Sequence, residues 1–158
     1  GARPEEAAAE EEQAEEAAGE RPRDFASVRL RIEAYDRWGT LLLQRRSVAY
    51  VHGQGEQADC VELAVSTMRR GESCEVRCHW RPGLRGGPRL LQDPWLPVSF
   101  RLRLESFEPD GQSGPQDWTP PRRLQHADRL RRVAAKLHHD GRHLLARAKY
   151  RAALAALP

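Results

Sequence analysis

The sequence predicts an α+β protein in which an antiparallel sheet wraps over one short helix and a helical hairpin follows at the C-terminal end. Three observations predict it. Ser27 to Tyr35 and Val98 to Leu104 alternate apolar and polar residues with period two, as half-buried strands do. Between them Val61, Ala64, Val65 and Met68 fall at helical spacing, and Gly71 ends the run. Beyond residue 118, Ala127, Leu130, Ala134 and Leu137 recur at steps of three and four with Lys and Arg on the opposite face.

Taken in order, residues 1–24 read as an acidic disordered tail, because "PEEAAAEEEQAEEAA" favours helix but carries no apolar stripe wider than alanine. Residues 25–108 form the expected sheet domain. In its first strand Val28, Leu30, Ile32 and Ala34 face inward. "DRWGT" is a turn, and extended character resumes from Leu41 to His52. After the short helix, "ESCEVRCHW" alternates again, with Cys74, Val76, Cys78 and Trp80 expected inward. A Gly-, Pro- and Arg-rich loop then leads to "PVSFRLRLESFE", where Val98, Phe100, Leu102 and Leu104 share a side. Residues 109–118 have linker chemistry. Residues 119–158 open with a Thr-Pro-Pro helix start and carry an amphipathic pattern through Gly141, Leu144, Leu145 and Ala148, with a second helical stretch after Lys149.

The 158 residues allow one ordinary core plus tails. No apolar run approaches the roughly 20 residues of a membrane helix, and the acidic start lacks the basic-then-apolar order of a signal peptide. Three cysteines, Cys60, Cys74 and Cys78, lie in apolar-patterned segments and suggest buried thiols in a reducing compartment. A cytoplasmic or nuclear location is therefore expected. The first twenty residues hold eight Glu against one Arg, about −7, so a net charge of +3 leaves about +10 on the rest. Attraction between the two ends is expected from that asymmetry.

The order helix, "TMRRGE", alternating strand, Gly-containing loop and "VSFRLRLESFE" resembles the second half of an FKBP-type peptidyl-prolyl isomerase domain. There Gly71-Glu72 would be the turn that drops the chain from the central helix into the sheet. The similarity continues into the C-terminal region, where Trp118, Gly141, Leu145, Tyr150 and Ala153 fall at spacings like those of the first helix pair of a tetratricopeptide (TPR) array, as in large FKBPs. Roughly residues 26–157 are covered, and it is the order of the motifs that is specific. The segment before Phe25 lacks the family's usual first strand.

By that resemblance, the proline basin of an FKBP would fall on Tyr50, Val61 and Phe100. Its helix Trp is replaced by Val61, and its Phe-Asp pair by Leu42-Leu43 or Leu43-Gln44. The bulge-loop Tyr falls near Pro82 or Leu84, and the Val-Ile lining on Gln57 and Ala58. Only Phe100, with Tyr50 as an outer wall, keeps an aromatic type. Such a basin twists an X-Pro bond by shape and low polarity against a barrier of ~18–20 kcal/mol, so the losses imply a non-catalytic or weakly catalytic co-chaperone or adaptor that binds proteins.

Groove-type TPR domains clamp a C-terminal carboxylate at positions that here are His138 and Arg142. A guanidinium can hold a carboxylate by a bidentate fork, whereas an imidazole is only partly charged. His138, Arg142 and Lys149 are thus the partner-binding candidates. A heat-shock chaperone is the expected partner only if further repeats follow, because about three stacked repeats are needed to bury their faces.

Two rivals stand beside this reading. One is an active isomerase with a pocket rebuilt around Phe100, Tyr50, Trp80 and Trp95. The other is a nucleic-acid-binding module, suggested by ten Lys and Arg against two Asp between Arg122 and Arg151. Tyr150 alone offers a stacking ring there, which favours a solvated face or an acidic partner. His138, His139, His143 and Asp140 read as solvated residues rather than metal ligands, and Cys74, Cys78, His79 and Cys60 as core thiols rather than a zinc site. No cofactor and no metal is expected.

Overall fold

Alternation in Ser27–Tyr35 becomes strand β1, with Val28, Leu30, Ile32 and Ala34 all buried. The computed structural model describes residues 3–88, 91, 94–111 and 114–158, without the side chains of 12–18. β2 (Leu41–Val51) returns antiparallel beside β1. Helix α2 (Asp59–Val65) follows, then β3 (Ser73–Cys78) and β4 (Val98–Glu108). The four strands lie in the order β2-β1-β4-β3, every neighbour antiparallel. This is the expected α+β architecture, an FKBP-like sheet over one short helix with a helical pair after it.

Cross-strand partners explain the core. Leu30 faces Leu104, Ile32 faces Leu102 and Ala34 faces Phe100, and all six are buried. Such pairs on one face are the unit of sheet stabilisation. A register shift sets Arg29 opposite Ser106 and Leu30 opposite Leu104, so Glu105 is the extra residue of a bulge. The bulge resets the alternation, and Phe107 turns inward where strict period two would place Ser106.

Gly71 performs the expected turn. Its φ is +76°, its N–H donates to the Leu104 carbonyl at 2.7 Å, and Leu104 N–H donates back to Glu72 O at 3.0 Å. The regular helix stops at Val65, so Met68 is buried from the turn that follows rather than from the helix itself.

Helices α3 (Pro120–His139) and α4 (His143–Ala156) form the C-terminal hairpin. The break falls at Asp140 to Arg142, with Gly141 at φ +78°, which corrects the expectation that a second helix begins after Lys149. Leu137, Leu145 and Ala146 pack with Leu63 of α2, while Leu130 and Ala153 close over Phe25 and Val51. The hairpin therefore shares its apolar face with the sheet domain.

Further expectations differ from the structure. Pro4–Gly19, expected as a disordered tail, forms helix α1, exposed over its described side chains. Among the described residues no ion pair joins it to α3 or α4. Trp80, expected inward, is 54% exposed, because β3 ends at Cys78 and the chain leaves the sheet before the next inward position. Cys74 and Val76 are only half-buried on the outermost strand.

Candidate functional site

The basin positions do come together, but they face no solvent. Val61 from α2 and Phe100 from β4 are each 0% exposed, and Tyr50 from β2 is 7% exposed. Leu43, Ala58, Leu84 and Leu91 belong to the same buried cluster, and Leu42 packs against it. Leu84 and Leu91 reach that cluster from the β3–β4 connection.

Among the described residues no ring contact joins Phe100, Tyr50, Trp80 and Trp95, the rings of the rebuilt-pocket reading. Phe100 and Tyr50 lie in the core, whereas Trp80 and Trp95 are exposed and Trp95 instead meets Trp38, with ring centroids 5.6 Å apart. Burial pushes the Tyr50 phenol well above its ordinary range. It is held neutral, 3.5 Å from His52 Nδ1.

Behind Tyr50 lies a buried polar knot that periodicity does not reveal. Glu62, fully enclosed on α2, accepts N–H bonds from Gly53 at 2.9 Å and Gln57 at 3.3 Å, and its carboxylate is 3.2 Å from His52 Nδ1. Burial alone would raise this carboxyl, but the His52 ring and the two N–H donors outweigh it and hold Glu62 below its usual range. A carboxyl depressed in the folded state contributes stability above its unfolded value, and that stability is lost as pH falls through the folded value. Glu62→Gln is therefore expected to lower stability near neutrality and to flatten the acid limb of stability against pH, checked by urea unfolding from pH 7 to pH 3. An unchanged acid limb would show that Glu62 does not carry it.

A four-bond polar contact crosses from the hairpin to the sheet domain. Arg142, at the start of α4, donates from Nε and Nη2 to Asp59 Oδ1 at 2.9 and 2.6 Å. It also donates to Gly55 O at 2.5 Å and Gln57 O at 2.9 Å. Gly55 and Gly86 make room for it. Both have positive φ, and a Cβ at either would overlap the guanidinium. Arg85 reciprocates, donating to Gly141 O, while its own carbonyl accepts the Asp59 N–H at 3.0 Å.

Asp59 is 1% exposed at its side chain, and its Oδ2 has no partner. Burial pushes its carboxyl above the ordinary range even with Arg142 against it. The sign is thus opposite to that of Glu62, so Asp59 ionisation costs folding energy as pH rises through the folded value, and it adds nothing to acid unfolding.

Of the partner-binding candidates, Arg142 and Lys149 are engaged within the chain. Lys149 is buried against Asp24. His138 is exposed, its Nδ1 3.2 Å from that of His143 at the hairpin turn. Among the described residues no group of three or more His, Cys, Asp or Glu is placed to hold a metal ion. Burial and the neighbouring Cys78 push the Cys60 thiol up, out of the reactive range. Among the described residues no helix is long and apolar enough to cross a membrane. The residues missed in the sequence, His52, Asp59, Glu62, Gly55 and Gly86, left one trace there, the paired glycines of "HGQGEQAD".

No protein-family model matches the chain, and no curated protein matches it. Solved structures do. A multi-domain immunophilin from Arabidopsis thaliana is similar with a TM-score of 0.50 and 18% identity, over 89% of this chain and 58% of that one. Residues 1-211 of CG17282 are similar with a TM-score of 0.53 and 15% identity, over 87% of this chain and 64% of that one. This chain thus spans about three fifths of the length of each. At these identities the likeness is one of fold, and that fold is FKBP-like with a helical pair attached.

Proposed function

We propose that this chain is a non-catalytic adaptor on an FKBP-like, TPR-bearing scaffold, binding proteins rather than isomerising prolyl bonds. One observation carries the reading: the positions that would line the proline basin are filled from within, Val61 and Phe100 without any exposed surface. Isomerisation by this fold needs an apolar site that is open in the ground state and complementary to the twisted amide. Partner binding would fall to the exterior, including the exposed His138 end of the hairpin. A heat-shock chaperone is the proposed partner class for a chain carrying further repeats, in the cytoplasm or nucleus.

The test is a protease-coupled isomerisation assay over an Ala-Pro, Leu-Pro and Phe-Pro peptide series. The expected rate is that of the uncatalysed bond for every peptide. A concentration-dependent acceleration of tenfold or more would overturn the reading in favour of an active isomerase.

A further inference from the structure

The solvent face of the sheet breaks the usual rule of cross-strand pairing. In β1 and β4, Arg31 lies directly opposite Arg103, and like charges placed so destabilise a sheet. Ser47 and Ser73 flank the two arginines, opposite Arg31 on β2 and opposite Arg103 on β3. In the next row Arg101 stands between Glu33 and Glu75, and Arg45 adds a further positive charge beside them. Arg31, Arg45, Arg101 and Arg103, with the carboxylates of Glu33 and Glu75, border a shallow depression of about 430 Å³.

Neutralisation within the face is incomplete. Arg31 reaches Glu105 only at 3.8 Å and Arg101 reaches Glu33 only at 3.9 Å. Among the described residues neither Arg45 nor Arg103 has a carboxylate within 4 Å. Local rules are broken in folded proteins mainly where another requirement overrides them.

We propose that this face is a docking surface for a glutamate-rich helix of a protein partner. Guanidiniums on adjacent strands are spaced about 4.5–5.5 Å at Cβ, which matches the roughly 5–6 Å between helical glutamates three or four positions apart. Arginine forks are the donors that carboxylates take, and the Ser73 hydroxyl adds another, whereas that of Ser47 already donates to Glu105. A base-stacking mode is disfavoured, since Tyr35 is covered by Arg101, 4.9 Å from ring centroid to guanidinium carbon. The chain itself contains the matching chemistry in residues 4–19, where Glu6 and Glu10, Glu11 and Glu15, and Glu12 and Glu16 are four apart. This inference is independent of whether the basin is catalytic.

The probe is a fluorescent peptide of residues 4–19 titrated with the full chain at low salt, read by anisotropy. Saturable binding is expected, weakened at least tenfold by 0.5 M NaCl and by Arg31→Ser with Arg103→Ser together. A peptide with every Glu changed to Gln is expected not to bind. Arg131→Ser with Arg132→Ser on α3 is expected to change affinity less than twofold. The Arg31→Ser, Arg103→Ser protein is expected to melt no lower than its parent, since the substitution removes a repulsion, so lost binding is not lost folding. Absence of saturable binding, loss that follows the α3 substitutions instead, or tighter binding of a single-stranded RNA to the same arginines would each overturn the proposal.

Discussion

Arg142→Ala is expected to destabilise the protein by about 3–5 kcal/mol, the usual cost of removing one partner from a buried ion pair. Asp59 would be left enclosed with neither oxygen neutralised, and the carbonyls of Gly55 and Gln57 would lose their donor. The loss is local as well as global. α3 and α4 would lose their polar attachment to the loop before α2, so the segment around Pro109 should become more open to protease than in the parent. Denaturant unfolding measures the first effect and timed proteolysis the second. Arg142→Lys should recover little, because a single ammonium cannot reach Asp59 and both carbonyls together. Gly86→Ala offers an independent check, since its methyl would overlap the guanidinium in a backbone conformation that alanine rarely adopts. If Arg142→Ala unfolds within 1 kcal/mol of the parent, the contact is not a structural lock.

Phe100→Ala is expected to cost about 3–5 kcal/mol, the range for deleting a buried phenyl ring. Phe100 lies opposite the smaller Ala34 on β1 and Val76 on β3, and a close-packed core relaxes only partly around a deleted ring. The measurement distinguishes two meanings of the same residue. A core phenylalanine, when removed, lowers the unfolding midpoint and leaves prolyl isomerisation at the uncatalysed rate. A catalytic one, when removed, abolishes an acceleration that the parent shows. The enclosed position of Phe100 predicts the first outcome.

Sequence periodicity carried the strands well because each depends on its own few residues. β1 spans Ser27–Tyr35 as the alternation predicted, and its four inward residues are the buried ones. Trp80 failed because the alternation ran past the point where β3 stops pairing with β4, a tertiary event with no local marker. The break between α3 and α4 was masked by an apolar stripe that continues in phase across Gly141.

The site was less legible for the same reason. Arg142 was read as a carboxylate holder, and it does hold one, but the carboxylate is Asp59 of its own chain. Lys149 likewise pairs with Asp24. Residue type revealed the chemistry of these side chains, while their partners depend on contacts across 83 and 125 positions. The glycine cradle at Gly55 and Gly86 resembled ordinary loop composition until the arginine was seen between them.

That separation also orders the folding of the molecule. Strands β1 and β2 are joined by a short turn, and α3 and α4 by a three-residue break, so each pair can form from nearby contacts. Asp59 and Arg142 meet only after a long intervening chain has been closed, and closure entropy must be overcome before their contact rewards it. Docking of the hairpin is thus expected among the late steps, beside β1–β4 pairing, which closes a loop of similar length from Ser27 to Glu108. Until Arg142 reaches its cradle, a newly made chain would expose the apolar faces of α2 and of both hairpin helices, surface that another protein could hold.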